Sequence, residues 1–301
     1  MRSKHWVAFI LLGVIWSSSF MWIKIALREV SPVVLVSFRV LFGLLFGIAV
    51  IIIQHVMLPG KFKEWVPLFI LGITNIAVPF FLISWGERSV DSSVAAVLDS
   101  TVPLFTIFLA HFMLTDDKLT LPKLLGLIIG FAGVVLLLSK NFGTASSSTL
   151  LGQIAIIVAS IFYAGSAVYV RKTTQDVPGI LRSMGPLLSA SVLMWITAFF
   201  SESNIRFPVL EMTWISLLFL GVVGSGLAFV LAFYLIHEIG PTRTSMVTYI
   251  FPLGGVILGV IFLHEQITWQ LISGGGLIVL SLFAANRQSL VKVSEKAEVG
   301  G

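Results

Sequence analysis

The feature that most constrains this chain is a series of long apolar runs with almost no charge inside them. Of its 301 residues, 57% are hydrophobic and only 11% are charged, whereas a soluble domain carries roughly 25% charged residues. A soluble fold of this size would leave large apolar patches in contact with water. The sequence therefore predicts that lipid is the solvent for most of the chain, and it leaves no room for a soluble domain.

Ten of the runs are long enough to cross a bilayer, for which a helix needs about 20 residues. Because the runs are continuously apolar and do not alternate, they predict helices and not the strands of a barrel. The first run is too long and too aromatic for a cleaved signal peptide, so it is interpreted as a membrane span. The predicted spans are 6–26, 33–53, 66–85, 94–114, 123–139, 150–170, 181–200, 213–236, 244–263 and 268–285.

The distribution of basic residues predicts the orientation of these spans. With the N-terminus in the cytoplasm, 13 Lys and Arg residues fall on the cytoplasmic side and 5 on the opposite side, which agrees with the positive-inside rule. We therefore expect a multi-pass protein of the plasma or inner membrane with both termini in the cytoplasm and a disordered tail over 287–301. The net charge of +5 is then a topology signal, and no nucleic-acid partner is expected.

Two residue types limit the chemistry of the chain. It contains no cysteine, which excludes disulfides, thiol catalysis and metal sites built on thiolates. None of its five histidines belongs to a group with metal-ligand spacing. We expect neither a metal nor a cofactor.

The second half of the sequence matches the first at a nearly constant offset. At 149 residues Asp99 falls on Thr248 and Pro103 falls on Pro252, and at 147 residues Trp16 falls on Tyr163. Each half contains five spans, and an odd number inverts the second half in the membrane. Inverted repeats are typical of alternating-access transporters, whose substrate site lies near the midplane between the halves. The predicted domains are the repeats 1–143 and 144–286.

Several motifs in these spans carry a family resemblance. They are Trp16–Phe20, Phe38-Arg39, Leu114–Thr120, Tyr249–Pro252 and Leu263–Thr268. Over residues 6–285 the chain resembles an EamA-type permease of the drug/metabolite transporter superfamily, although members typically show Trp-Gly at 16–17 and Glu at 116. The resemblance implies two five-helix bundles around a central cavity lined mainly by spans 1, 3, 4, 6, 8 and 9. It also implies transport of small metabolites, amino acids or drugs, often outward.

Two charged residues lie well inside predicted spans, where each costs about 2.5–3.5 kcal/mol on insertion scales. Arg39 in span 2 and Asp99 in span 4 are at matching depth, roughly 8–9 Å below the outer surface at about 1.5 Å per residue. They either form an ion pair that locks the two spans or share the wall of the cavity, where Asp99 could bind substrate or protons. A third alternative is that Arg39 extends its side chain outward, unpaired.

Kinked helices and aromatic residues complete the predicted site. Mid-span prolines remove a helical hydrogen bond and bend the helix, and here polar residues share their faces. These polar faces favour a cavity wall, although kinks without ligand contact remain an alternative. Trp16 and Tyr163 either face each other across the cavity or pack against lipid and neighbouring helices. The predicted substrate-binding residues are Trp16, Ser19, Arg39, Asn75, Asp99, Thr106, Tyr163, Thr248 and Tyr249, with kinks at Pro79, Pro103 and Pro252.

Other functions and assemblies stay open at this point. The segment Gly224–Gly226 resembles the serine motif of intramembrane proteases, but a serine nucleophile needs a nearby histidine base, and none is placed within reach. A passive channel or a lipid scramblase is the stronger alternative to a carrier. Glycine strips in spans 5 and 10 predict close helix packing, within the bundle or between protomers, so a monomer and a homodimer are both compatible. The expected partners are a small-molecule substrate, the lipid bilayer and, as a candidate coupling ion, the proton.

Overall fold

The computed structural model describes residues 3–56, 58, 60–114, 119–139, 147–174, 177, 179–203, 207–239, 244 and 246–298. Across these residues the regular structure is entirely helical, which confirms the predicted fold class. We number the helices as α1 (Ser3–Ala26), α2 (Pro32–Ile53), α3 (Phe62–Gly86), α4 (Ser92–Met113), α5 (Leu121–Ser139), α6 (Ser147–Thr173), α7 (Gly179–Ser201), α8 (Glu211–Ile239), α9 (Met246–Leu263) and α10 (Trp269–Glu298).

These helices agree closely with the predicted spans. In the described part of the chain, nine of them are long and apolar enough to cross a membrane, and the apolar part of the tenth, Trp269–Ala285, is shorter. The predicted boundary between the two repeats, at residues 143–144, lies outside the described residues. The orientation of the helices in the membrane remains a prediction from the basic residues.

The last helix extends further than the sequence analysis expects. α10 continues through residues 286–298 to Glu298, within the stretch 287–301 for which the sequence predicts a disordered tail. This stretch contains neither Gly nor Pro, the two residue types that interrupt helices most strongly, so the helix meets no break after the apolar segment. Residues 299–301 lie outside the described part of the chain.

Two helices depart from α-helical geometry at equivalent places in the two halves. α3 contains a π-helical segment over Gly72–Ala77, just before Pro79, and α8 contains one over Phe219–Leu227. The offset of 149 residues places the first segment at 221–226, inside the second. π-helical turns form hydrogen bonds between residues five apart and are frequent at functional sites. Both segments therefore mark the middle of the bundle as a candidate functional region.

Two further helices, α4 and α9, are also irregular, in each case on the N-terminal side of a proline. α4 is interrupted at Ser100 and Thr101, immediately before Pro103, and α9 begins as a 3₁₀ turn over Met246–Tyr249, before Pro252. Proline lacks an N–H group and clashes with the preceding turn, so it disrupts the helix on its N-terminal side. The predicted distortions at Pro79, Pro103 and Pro252 therefore coincide with real changes in helix geometry, and the offset of 149 relates those at Pro103 and Pro252.

The predicted glycine strips form a packing seam between α5 and α10 of the same chain. A Cβ atom on Gly133 would lie 2.7 Å from the carbonyl oxygen of Gly274, and a Cβ on Gly274 would lie 2.9 Å from that of Gly133. The two backbones are therefore in direct contact, which only residues without a side chain permit. In contrast, a Cβ on Gly276 meets nothing within 4 Å.

We predict that Gly274→Ala destabilises the protein and that Gly276→Ala, two residues further along α10, does not. The first substitution forces α5 and α10 apart, and overpacking of this kind costs about 1–3 kcal/mol. The second only gains helix propensity, which is worth up to about 1 kcal/mol. The apparent unfolding temperature of the two purified variants in detergent measures the difference. Equal effects would contradict the assignment of this seam.

Candidate functional site

A cavity of about 280 Å³ lies between the helices of the bundle. It is bordered by α1, α3, α4, α6, α8 and α9, the six helices that the family resemblance implies, and by Arg39 from α2. Its wall is mostly apolar and aromatic, with a small number of polar groups, which is the usual composition of a small-molecule site. The lining residues are Trp16, Ser19, Phe20, Ile23, Arg39, Asn75, Phe80, Ile83, Asp99, Val102, Tyr163, Phe229, Thr248 and Phe251.

Many of these residues are related by the internal repeat. At the offset of 149, Phe80 corresponds to Phe229 and Val102 to Phe251, as Asp99 does to Thr248. At the offset of 147, Trp16 corresponds to Tyr163. The cavity is therefore bordered by pairs of residues from the two halves that the sequence offsets relate.

Arg39 is held inside the bundle by contacts on two sides. Its side chain is 5% exposed, its Nε donates a hydrogen bond to Ser225 Oγ at 3.2 Å, and its guanidinium carbon lies 3.6 Å from the ring centroid of Phe80. A guanidinium over an aromatic face is attracted by the ring quadrupole. The Arg39 side chain therefore lies inside the bundle. This excludes the third alternative, in which it extends outward to the membrane surface.

Asp99 borders the same cavity from α4. Its side chain is 6% exposed and its Oδ1 lies 3.5 Å from Ser160 Oγ of α6, at the outer limit of a hydrogen bond. Among the ion pairs of the described residues there is none between Asp99 and Arg39. The two charges thus share the cavity wall without closing on each other, and both retain hydrogen-bonding capacity.

The aromatic residues from the two halves are also brought together at the cavity. Trp16 donates from its indole nitrogen to the carbonyl oxygen of Gly224, at 3.2 Å, and its ring lies edge-on to that of Phe251, with centroids 6.1 Å apart. Tyr163 borders the cavity from α6. Trp16 and Tyr163 therefore both border the cavity.

Two predicted site residues, Thr106 and Tyr249, are not among the residues that line the cavity. The Thr106 hydroxyl donates to the carbonyl oxygen of Val102 in its own helix. The Tyr249 hydroxyl donates to the carbonyl oxygen of Leu282 in α10, so its ring is turned away from the bundle centre. Thr106 follows the interruption of α4 at Ser100 and Thr101. Tyr249 is itself the last residue of the 3₁₀ turn that begins α9, so neither residue keeps the face that regular α-helical spacing predicts.

The serine of the Gly224–Gly226 segment has a structural role. Ser225 is fully buried, and its hydroxyl accepts from Arg39 and donates to the carbonyl oxygen of Leu220, five residues earlier. That i−5 bond belongs to the π-helical segment of α8. Neither partner of the hydroxyl is a base that could activate a nucleophile.

A second, polar pocket of about 580 Å³ lies at the ends of α1, α3 and α9 and the start of α4. We call it the outer vestibule, because the predicted topology places it on the outside. Ile23 and Ile83 border the cavity, and Lys24 and Glu87, one residue and one helical turn further on, border the vestibule. The vestibule residues are Lys24, Leu27, Arg28, Glu87, Arg88, Asp91, Leu263, His264, Glu265 and Gln266.

Two contacts in the outer vestibule join separate parts of the chain. The Glu265 carboxylate, in the connection after α9, accepts hydrogen bonds from the main-chain N–H groups of Ser92 and Ser93, at 2.7 and 2.9 Å. A carboxylate at a helix N-terminus satisfies free donors and complements the helix dipole. The left-handed conformation of His264, with φ of 55°, turns the chain so that Glu265 reaches α4. Asp116, the equivalent position in the first half, lies outside the described residues.

Glu87 is the most deeply buried acid of the vestibule, and the sequence does not single it out. Its side chain is fully buried, and neither carboxylate oxygen has a hydrogen-bond partner. Nearby, Lys24 Nζ donates to the carbonyl oxygens of Glu87 and Val90, at 2.6 and 2.7 Å. Because Glu87 directly follows the apolar run of α3, the sequence alone suggests an ordinary charged residue that ends a span and contacts water. The apolar lining residues Phe20 and Phe80 were missed because phenylalanine is frequent in every span.

Comparison with known proteins places this arrangement in the class of helical membrane transporters. A family model described as the EamA-like transporter family matches residues 4–139 and again residues 150–287. The chain belongs to the EamA-like transporter family, and the two matches correspond to its two halves.

Relatives cover most of the chain at low identity. An uncharacterized transporter of Bacillus subtilis, YoaV, is 26% identical over 285 residues, covering 93% of this chain and 96% of that protein. An uncharacterized inner membrane transporter of Escherichia coli, YedA, is 28% identical over 251 residues, covering 82% and 79%. A crystal structure with 20% sequence identity superposes with a TM-score of 0.70 over 96% of this chain and 99% of the other, which shows the shared fold.

We predict that Glu265→Ala destabilises the junction between α9 and α4. Loss of the carboxylate leaves two main-chain N–H groups of α4 without their acceptor, and loss of such a cap costs about 0.5–2 kcal/mol. Gln266→Ala is the matched control, since Gln266 is the next residue and is exposed. Hydrogen exchange at Ser92 and Ser93 in the purified protein should rise in the first variant alone. Unchanged exchange there would contradict the capping role.

Proposed function

We propose that the protein is a secondary transporter that moves a small polar metabolite, such as an amino acid, or a drug by alternating access. The observation that carries this proposal is the central cavity, which is bordered by repeat-equivalent residues of both halves. When the two halves rock against each other, a site on the axis between them becomes open first to one side of the membrane and then to the other. In line with the family resemblance, we propose export as the direction and the cell membrane as the location, with both termini in the cytoplasm.

The charges of the cavity favour a substrate that carries charges of both signs. Arg39 and Asp99 lie at the same cavity and do not pair with each other, so a bound molecule can contact both. In a site shielded from water such interactions are much stronger than in solution. The rings of Phe20, Phe229 and Phe251 would surround the apolar part of the substrate. A volume of about 280 Å³ suits a metabolite of amino-acid size, since pockets for drug-sized ligands start near 300 Å³.

Purified protein provides the first test of this proposal. We expect a zwitterionic amino acid with an apolar side chain, such as L-phenylalanine or L-leucine, to raise the apparent unfolding temperature, because a ligand that binds only the folded state stabilises it. The matching D-enantiomer should be weaker. A library of zwitterionic, anionic, cationic and neutral metabolites in which only compounds without paired charges stabilise the protein would contradict the proposed substrate class.

Transport in proteoliposomes separates the carrier from the alternatives of a channel or a scramblase. A carrier shows saturable flux and counterflow of labelled substrate, whereas a channel gives flux that follows the gradient without counterflow. We expect counterflow of the compound that stabilises the protein in the thermal assay. Flux without saturation or counterflow, or lipid exchange alone, would contradict the proposal.

We predict that Asp99→Asn weakens transport at least about tenfold, since loss of one charged hydrogen bond in a buried site costs about 1.5–3 kcal/mol. The variant keeps the shape of the side chain and removes its charge. Glu64→Gln, at the exposed start of α3, is the control and should transport normally. Initial rates over a range of pH measure the effect, and a variant with wild-type rates and pH dependence would exclude Asp99 from substrate binding and from proton coupling.

A further inference from the structure

We propose that Glu87 is a proton-binding site between the central cavity and the outer vestibule, and that its proton holds this face of the transporter closed. The proposal rests on the proposed transport function and adds a coupling site to it. It begins from the only fully buried carboxylate, among the described side chains, whose two oxygens both lack a hydrogen-bond partner.

An ionised carboxylate in that environment is strongly unfavourable. Transfer of an unpaired charge out of water costs so much that the group takes up a proton instead. The natural counter-charge, the Lys24 ammonium, donates to the carbonyl oxygens of Glu87 and Val90, and the described contacts include no ion pair between it and the Glu87 carboxylate. The buried form of Glu87 in this structure is therefore the neutral acid.

Charged groups face Glu87 from several elements, and burial has a larger effect on its pKa than any one of them. Lys24 and Arg39 favour the carboxylate, while Glu265 and Asp99 oppose it. α6 packs against the same end of α3 through Gly152, and its first turns carry no charge. The other ionisable residues of the vestibule are Arg28, Arg88, Asp91 and His264. Burial raises the pKa of Glu87, which follows the last residue of α3, well above its usual range, with Lys24 acting in the opposite direction.

The position of Glu87 links its ionisation to opening. Ile83, one helical turn earlier, borders the cavity, and Glu87 itself borders the vestibule. When the acid dissociates, its proton passes to water in the vestibule, and the carboxylate needs hydration or the Lys24 ammonium. Hydration exposes a side chain that is fully buried in this structure. An ion pair with Lys24 breaks the two hydrogen bonds by which Lys24 joins α1 to the end of α3, so either change loosens the contact between the two helix ends.

The sign of the pH dependence follows from this linkage. Glu87 has a higher pKa in the closed form, where it is buried, than in an open form, where it is hydrated. Protonation therefore stabilises the closed form fully at low pH, and this stabilisation is lost as the pH rises through the pKa of the closed form. Above that pH, the face that bears the vestibule opens more readily.

The experiment uses the full chain, which contains no cysteine, with Ile23→Cys as a reporter. Ile23 is 2% exposed and borders the cavity next to Lys24. The purified protein in lipid nanodiscs is labelled with a membrane-impermeant maleimide between about pH 5 and about pH 9, where a carboxyl group of raised pKa titrates. Each rate is divided by that of Leu27→Cys in the vestibule, which removes the pH dependence that the two thiols have in common.

We expect the corrected labelling rate of Ile23→Cys to rise with pH by up to about tenfold per unit below the midpoint, as a single proton requires. Adding Glu87→Gln, which resembles the neutral acid, should leave the rate low at every pH. Adding Asp91→Asn, which removes an exposed vestibule carboxylate, should retain the full pH dependence. Replacing sodium by potassium should change nothing, because the site takes up protons.

Three results would overturn the proposal. They are a wild-type reporter rate that does not change with pH, a Glu87→Gln rate that keeps the wild-type pH dependence, and a rate that responds to sodium and not to pH. If Glu87→Gln does not fold, Glu87→Asp serves in its place: it keeps a titrating group at a changed depth, so the midpoint must shift, and an unshifted midpoint refutes the role. Since the assay measures accessibility, it can fail while counterflow succeeds, which distinguishes it from failure of the transport function.

Discussion

Lipid offers neither hydrogen bonds nor solvation of charge, and the arrangement of this chain follows from that constraint. Every main-chain group within the membrane must find its partner inside the protein, so helices are the only spanning elements that such apolar runs can form. Irregular backbone is tolerated only where protein or a cavity receives the freed groups. In this chain the π-helical segments of α3 and α8 and the breaks near Pro103 and Pro252 occur in helices that border the central cavity.

The same constraint explains how the buried charges are held. Arg39 has a serine hydroxyl at its Nε and an aromatic face beneath its guanidinium, and Lys24 has two main-chain carbonyl oxygens. These partners are neutral, so the cations are stabilised without being neutralised by an acid. Asp99 and Glu87 are consequently left without an ion pair in the described structure. Unpaired buried acids are unfavourable for stability, and we attribute their presence to substrate and proton binding.

The sequence predicts the helices well because long apolar runs determine them almost alone. It also predicts that Arg39 and Asp99 lie at one depth, since depth follows from residue count along a helix, and the repeat offset correctly pairs Asp99 with Thr248 at the cavity. The sequence places Thr106 and Tyr249 at the cavity, which they do not line, because Thr106 lies beyond the break in α4 and Tyr249 lies in the 3₁₀ turn of α9, where regular α-helical spacing no longer determines the face. The sequence does not single out Glu87 for a different reason: it is buried where α1 and α6 pack against the end of α3, and these contacts leave no pattern in the local sequence.

The most direct test of alternating access at this cavity is the two-sided accessibility of a single cysteine at Ser19, a buried residue of its wall. A membrane-impermeant maleimide is applied to intact cells and to inverted membrane vesicles, with and without the compound that stabilises the purified protein. We predict reciprocal changes: conditions that raise labelling from one side lower it from the other. Labelling that rises and falls in parallel from both sides, or that never occurs from one of them, would contradict it.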